Sequence, residues 1–304
     1  MSIIVFGSIN MDLVVRTARI PLPGETLSSS VFETTPGGKG ANQAVACARL
    51  GAPTAMLGCV GDDGFGVALL ASLAANGVAV DQVEQVADVS SGIALITVDA
   101  AGANTIVVVA GANEQVGGTA LASLDATLKP GDVLLLQLEI PLSAVMAAAK
   151  LGYERGATVI LDPAPARALP PELYPYLTII TPNQTEAGIL VGDTIDTLAA
   201  AETATQQLLA RGVAQVIIKL GADGIFYADA HGSQHLPTFA VTVVDTVGAG
   251  DAFNGGLAAG IHSGLPLIEA LRWGLASGAL CVTKRGAQIA MPSRAELLAL
   301  LARP

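Results

Sequence analysis

The sequence predicts an α/β protein: a mainly parallel central sheet with helices on both faces, and a small β-sheet beside it. Three observations lead there. Short β-branched runs at 3–6, 133–138, 159–161, 179–181 and 216–220 alternate with alanine- and leucine-rich amphipathic stretches such as 142–151 and 198–211, the order expected of strands joined by crossover helices. The runs are apolar at nearly every position, which suits strands buried on both faces. Two segments break the alternation: 13–35 looks extended and turn-rich, and 92–110 reads as a hairpin, with 93–98 and 105–109 flanking 99–104. With no repeat, linker or low-complexity tail, the chain reads as one domain over 1–304.

The 304 residues are 52% hydrophobic and 13% charged, which gives enough apolar matter for a large core and too little polarity for disorder. A formal charge of −11 and a pI near 4.6 oppose binding to phosphate backbones or anionic lipid, so neither nucleic acid nor a membrane is expected as a partner. Cys47, Cys59 and Cys281 are odd in number and share no metal-ligand spacing with His231, His235 and His262. They read as core thiols in a reducing compartment. Met1-Ser2-Ile3-Ile4-Val5-Phe6 lacks a basic segment and turns at Gly7, as a first strand does and a signal peptide or span does not. A cytoplasmic location is the expectation.

Along the chain, polar residues fall where the apolar runs end. Asn10 and Asp12 follow the first strand, where they either stabilise a turn or bind hydroxyls. Pro36-Gly37-Gly38-Lys39-Gly40-Ala41-Asn42-Gln43 opens a helix that runs to about residue 50. A lysine in a first turn opposes the helix dipole, so Lys39 is either solvated or beside an anionic or hydroxyl-rich ligand. Glu139 precedes Pro141, a good first-turn residue. Asn183-Gln184-Thr185-Glu186 has the spacing of a capping box. Its alternative role is to hold, through water, the magnesium that accompanies a nucleotide, since Mg²⁺ favours few carboxylates and keeps its waters. Gly221 follows 216–220, and the apolar run 239–244 reads as a further strand. Ligands of open α/β sheets bind at the carboxyl ends of the strands, so five strands are expected to converge on one site.

The last of these carries the most information. Asp245-Thr246-Val247-Gly248-Ala249-Gly250-Asp251 leads the run 239–244 into a helical pattern beginning Ala252-Phe253-Asn254-Gly255-Gly256. A glycine-rich helix N-terminus attracts phosphate through free N–H groups and the dipole. Asp251 is there either as a helix cap, for which aspartate is well suited, or as a base that takes a proton from an alcohol attacking the phosphate. Two familiar nucleotide motifs are absent. Lys39 is followed by Gly40 where a Walker A loop has Ser or Thr, and Phe253 stands where a Rossmann fingerprint has its third glycine.

These motifs, with Gly7-Ser8-Ile9-Asn10-Met11-Asp12, Gln137-Leu138-Glu139, Asp162-Pro163-Ala164-Pro165-Ala166 and Lys284-Arg285-Gly286-Ala287-Gln288 in the same order, resemble the ribokinase family of sugar kinases along essentially the whole chain. The resemblance implies phosphoryl transfer from ATP to the 5-hydroxyl of D-ribose, with Asp251 as base and the N–H groups of Ala249, Gly250 and Asp251, after Gly248, as the anion hole. It assigns the sugar to Asn10, Asp12, Gly38, Lys39, Gly40, Asn42 and Glu139, and ATP to Asn183, the loop from Lys219 through Gly221 to Gly224, and Gly250. Mg²⁺ falls near Glu186. An activating K⁺ falls to the carbonyls of Asp245, Val247, Cys281, Lys284, Gly286 and Ala290. Segments 13–35 and 92–110 resemble the family's lid, which implies a homodimer through it. Two positions depart from the pattern: Ala290 replaces a hydroxyl residue, and Leu275 replaces a polar residue beside the adenine. Other readings are a kinase for another sugar or a nucleoside, and a non-catalytic sugar or nucleotide binder on the same scaffold.

Overall fold

The computed structural model describes residues 1–303. In chain order the first half comprises β1 (Ile3–Phe6), β2 (Asn10–Arg16), β3 (Val31–Gly37), α1 (Lys39–Arg49), β4 (Thr54–Gly61), α2 (Gly64–Ala75), β5 (Val78–Ala79), β6 (Val83–Val86), β7 (Gly92–Val98), β8 (Asn104–Val109) and α3 (Gly118–Thr127). There follow β9 (Val133–Leu136), α4 (Leu142–Glu154), β10 (Thr158–Leu161), β11 (Ile179–Ile180), α5 (Gln184–Val191), α6 (Leu198–Ala210), β12 (Gln215–Lys219), β13 (Ile225–Asp229), β14 (Gly232–Leu236), α7 (Ala249–His262), α8 (Leu267–Cys281) and α9 (Arg294–Leu301).

The main sheet runs β14-β13-β12-β11-β10-β9-β1-β4-β5, with β6 also pairing with β4. Its pairs from β12 through to β5 and β6 are parallel, and β13 and β14 form an antiparallel edge. The continuous apolar strands divide their side chains between two cores by simple alternation. Ile3, Val5, Val133 and Leu135 enter the core shared with α1, α7 and α8, whereas Ile4, Phe6, Leu134 and Leu136 enter the core shared with α4 and α6. A second sheet, β3-β2-β7-β8, is built from the two segments that break the α/β pattern. Its side chains Val31, Phe32, Leu95, Ile106, Val107, Val108 and Val109 are exposed.

Element ends differ from expectation by one to three residues, and one expected strand is absent. Phe239 to Val244 pairs with no strand. It follows the antiparallel edge as an irregular segment that lines a cavity, and Val244 N–H donates to the Val282 carbonyl at 2.7 Å. Its apolar character serves a cavity instead of a sheet. Asp251 is therefore reached from no strand, while Asn10 and Asp12 lie within β2.

Helix α7, which carries Asp251, is seated by glycines. A methyl at Gly260 would lie 2.7 Å from the Ala270 Cα of α8, and one at Gly256 would lie 2.6 Å from the Trp273 carbonyl oxygen. Backbone cannot yield as a side-chain tip can. Gly260→Ala is expected to destabilise the protein by about 1–3 kcal/mol through overpacking, read as a lower urea midpoint at constant slope. Gly118→Ala, where a methyl meets nothing within 4 Å, is the matched control. Equal midpoints for the two variants contradict this packing account.

Candidate active site

The loop into α7 folds as it does because Gly248 takes the left-handed conformation, φ 77° and ψ 0°, as the residue before the helix. No side chain caps this end. Ala249 N–H turns back to the Thr246 carbonyl at 3.3 Å and Ala252 N–H bonds Gly248, while the N–H groups of Gly250 and Asp251 have no partner among the described residues. Asp251 is the third residue of α7, which corrects the reading of it as a cap. Its carboxylate points inward and accepts from Asn42 Nδ2 at 2.9 Å and Gln43 Nε2 at 3.1 Å.

Gln43 gives its other amide hydrogen to Asp162 Oδ2 at 3.0 Å, and its oxygen accepts from Gln137 Nε2 at 2.8 Å. Asp162, just beyond β10, is paired with Lys219 Nζ at 2.8 Å. Burial pushes the Asp251 pKa up to about 6; Lys39 and the two amides oppose the rise and Asp162 adds to it. Burial also disfavours the charge on Lys39, but Asp251, Asp162, Glu139 and Glu186 outweigh it and hold the ammonium above its ordinary pKa. A freely solvated lysine does not have four carboxylates around it.

The remaining inner residues lie against β1, β2 and the start of α1. Glu139 Oε2 accepts from Ser8 Oγ at 2.5 Å and from Lys39 N–H at 3.0 Å, so this acid offsets the unpaired donors of α1. Gly38, at φ 85°, precedes α1, and a Cβ there would stand 2.7 Å from the Asn10 nitrogen. A Cβ at Gly40 would stand equally close to the Ser8 nitrogen. Asp12 packs on Gly37, and burial, then Glu139 and Asp251, raise its pKa to about 7. The structure thus brings Asn10, Asp12, Gly38, Lys39, Gly40, Asn42, Glu139 and Asp251 together.

Outward from Asp251 opens a cavity of about 800 Å³. Lys39, Asp162, Asn183, Glu186, Lys219, Gly221, Gly224, Gly248, Ala249, Gly250 and Leu275 line it, as does the wall formed by Phe239, Val241 and Val243. Asn183 and Glu186 form the expected capping box: Asn183 Oδ1 accepts Glu186 N–H at 2.8 Å, and Asn183 N–H donates to Glu186 Oε2 at 2.7 Å. Burial raises the Glu186 pKa, against Lys219. Asn183 engages the other carboxylate oxygen too, through Nδ2 at 2.8 Å, and Glu186 lines the cavity.

Behind the α7 N-terminus two loops are clamped together. Asp245 accepts from Val247 N–H at 3.1 Å and from Gly286 N–H at 2.9 Å, and Cys281 Sγ lies 3.7 Å from the Val247 oxygen. The Cys281 carbonyl accepts Lys284 N–H at 3.1 Å, but the carbonyls of Asp245, Lys284, Gly286 and Ala290 accept no hydrogen bond among the described residues. Free carbonyls suit a weakly hydrated monovalent cation. The Lys284 side chain turns away to Glu296 at 2.6 Å. Among the described residues no group of three or more His, Cys, Asp or Glu side chains is arranged to hold a metal.

Four residues that hold the site were not expected as site residues: Gln43, Asp162 and Gln137 in the network around Asp251, and Asn113, which bonds Ile9 and Asn10. Asp162 had a readable signal, a carboxylate immediately after an apolar strand. Gln43 is one helical turn past Lys39, and its role depends on what α1 packs against.

A carboxyl group whose folded pKa is raised contributes stability at pH below its unfolded pKa near 3.8 and loses it as pH rises through the folded value. Asp12→Asn is therefore expected to stabilise the ligand-free protein at pH 8 by about 1–3 kcal/mol. The gain should vanish as pH falls toward 4, as followed by thermal melts across that range. A gain that grows on acidification contradicts the assignment.

The profile of the pfkB family of carbohydrate kinases matches residues 1–294. A ribokinase of Bacillus subtilis (strain 168) is 41% identical, covering 99% of each chain. A deoxyribokinase of Salmonella typhi is 36% identical, covering 96% of each. The structure of Arabidopsis thaliana ribokinase complexed with ribose and ATP superposes with a TM-score of 0.92 at 34% identity, over 100% of this chain and 99% of that one. The chain belongs to the pfkB, or ribokinase, family of carbohydrate kinases, and it is a phosphotransferase.

Proposed function

We propose that this kinase transfers the γ-phosphoryl group of ATP to the 5-hydroxyl of D-ribose. The observation that carries the reading is the buried Asp251 carboxylate, set between the inner polar cluster and the outer cavity at the uncapped end of α7. The sugar lies among Asn10, Asp12, Gly38, Lys39, Gly40, Asn42 and Glu139. ATP occupies the cavity, held by Asn183, the loop from Lys219 through Gly221 to Gly224, Gly250 and, beside the adenine, Leu275.

Asp251 takes the proton of the attacking hydroxyl. The N–H groups of Gly250 and Asp251, with Ala249 and the turn at Gly248, meet the charge that develops on the transferring phosphoryl oxygens. Lys39 supplies compensating positive charge, and its surrounding acids keep it protonated. Glu186, near Asn183, would hold a hydrated Mg²⁺, which when bound neutralises nucleotide phosphate charge. The carbonyls of Asp245, Val247, Cys281, Lys284, Gly286 and Ala290 would hold K⁺ behind the anion hole. The β3-β2-β7-β8 sheet acts as a lid over the sugar, and its exposed apolar side chains form the interface of a homodimer. The whole chain works as one domain in the cytoplasm.

Ribose is favoured over a nucleoside because the inner cluster is polar and offers no aromatic platform to a base. 2-Deoxyribose is the probe of that choice, because a site built to bond a hydroxyl rejects the analogue lacking it.

Asp251→Asn is expected to lower turnover by about 10²- to 10⁴-fold while ribose and ATP still bind; retention of a tenth of wild-type turnover would remove Asp251 as the base. Because the base must be ionised, kcat/KM for ribose should fall about tenfold per pH unit below about 6. A flat profile between pH 7 and 4.5 opposes the assignment. ADP release should require ribose and drop when potassium is replaced by a large organic cation. Equal turnover of 2-deoxyribose would move the reading to a different sugar of the same class.

A further inference from the structure

Asn113 lies on the short 3-10 turn Gly111–Gln115 after β8 and is 1% exposed. Its Oδ1 accepts Ile9 N–H at 2.9 Å, and its Nδ2 donates to the Ile9 carbonyl at 3.2 Å and to Asn10 Oδ1 at 2.7 Å. The two backbone contacts fix which way this amide faces. A main-chain N–H only donates and a carbonyl only accepts, so oxygen must meet Ile9 N and nitrogen must meet Ile9 O. The second hydrogen of that nitrogen then requires an acceptor from Asn10. Asn10, 4% exposed, is left with its NH₂ as the arm that has no partner among the described residues.

We propose that Asn113 is a positioning residue that makes Asn10 an obligate hydrogen-bond donor toward the sugar, and so selects for an accepting oxygen at that place. This rests on the reading of Asn10 as a sugar contact. The pair also sits at the root of the small sheet. Gly92 opens β7, and a side chain there would collide with both Asn10 Oδ1 and Asn113 Nδ2, while Gly111 turns the chain out of β8 at φ 53°. The hairpin's two ends therefore meet on the amides that set the polarity of the site.

Asn113→Asp tests the relay at nearly constant shape. One carboxylate oxygen still serves Ile9 N–H, while the other gives up the bond to the Ile9 carbonyl and asks Asn10 for a donor, so that Asn10 inverts to face the sugar with its oxygen. The KM for D-ribose is expected to rise about tenfold, the equivalent of one lost hydrogen bond, with the KM for MgATP changing less than about twofold. Calorimetric binding of ribose to the ATP-free protein should weaken by the same factor. In an Asn10→Ala background the substitution should leave the ribose KM unmoved, because the relay has lost its target. Asn10→Asp, which keeps an acceptor for Asn113 and turns an oxygen to the sugar, should reproduce the defect with Asn113 intact; if N113D fails to fold by thermal melt, a normal ribose KM in N10D overturns the proposal. Equal losses toward ribose and MgATP, or an N113D effect undiminished beside N10A, overturn the proposal. Normal ribose KM in N10A, or no sugar turnover by the wild type, overturns the assignment of Asn10 itself and is distinguished by appearing without any change at Asn113.

Discussion

The site depends on keeping one carboxylate dry and still able to ionise. Asp251 is buried, and burial alone would drive it neutral. The two amides that donate to it, from Asn42 and Gln43, come from one turn of α1, and that of Gln43 is held in turn by Gln137 and Asp162. Lys219 balances Asp162, and Lys39 balances the rest. Five carboxylates, those of Asp12, Glu139, Asp162, Glu186 and Asp251, and two ammonium groups therefore lie close enough to act on one another's charge. Such a network is worth more than its separate pairs, because each hydrogen bond fixes the orientation of the next.

The fold provides that arrangement by bringing helix N-termini together. α1 and α7 start beside one another, α1 after Gly38 and α7 after Gly248, both with φ in the left-handed region. Glu139 supplies an acceptor at the first, while the second keeps two N–H groups free. One end is closed by an acid and the other left open to an anion, so two similar elements have different chemistry. The close seat of α7 on α8, backbone against backbone at Gly256 and Gly260, keeps the open end from drifting. The raised pKa values of Asp12 and Asp251 are the cost of this design, since ionising either buried carboxylate near neutral pH lowers stability.

Much of this was legible in the primary structure. Strands β1, β9, β10, β11 and β12 announce themselves as short β-branched runs because each is buried on both sides, and the hairpin β7–β8 because turn residues separate two alternating runs. The glycines at 37, 38, 248 and 250 pointed to close backbone approaches that a Cβ would prevent at Gly38. The run 239–244 misled because an apolar stretch lining a cavity has the composition of one filling a sheet. Gln43 and Asn113 were unreadable as network members: their partners lie 119 residues away at Asp162 and 103 residues away at Asn10.

Taken by itself, the sequence determined the α/β class, the buried strands, the glycine-rich helix starts and the family, because periodicity, backbone freedom and ordered motifs are local properties of a chain. Only the tertiary structure decided that Asp251 is no cap, that burial pushes its carboxylate pKa up to about 6, and that the Asn10 side-chain oxygen is taken by Asn113. Protonation state and hydrogen-bond polarity are set by burial and by partners distant in sequence, which no local pattern encodes.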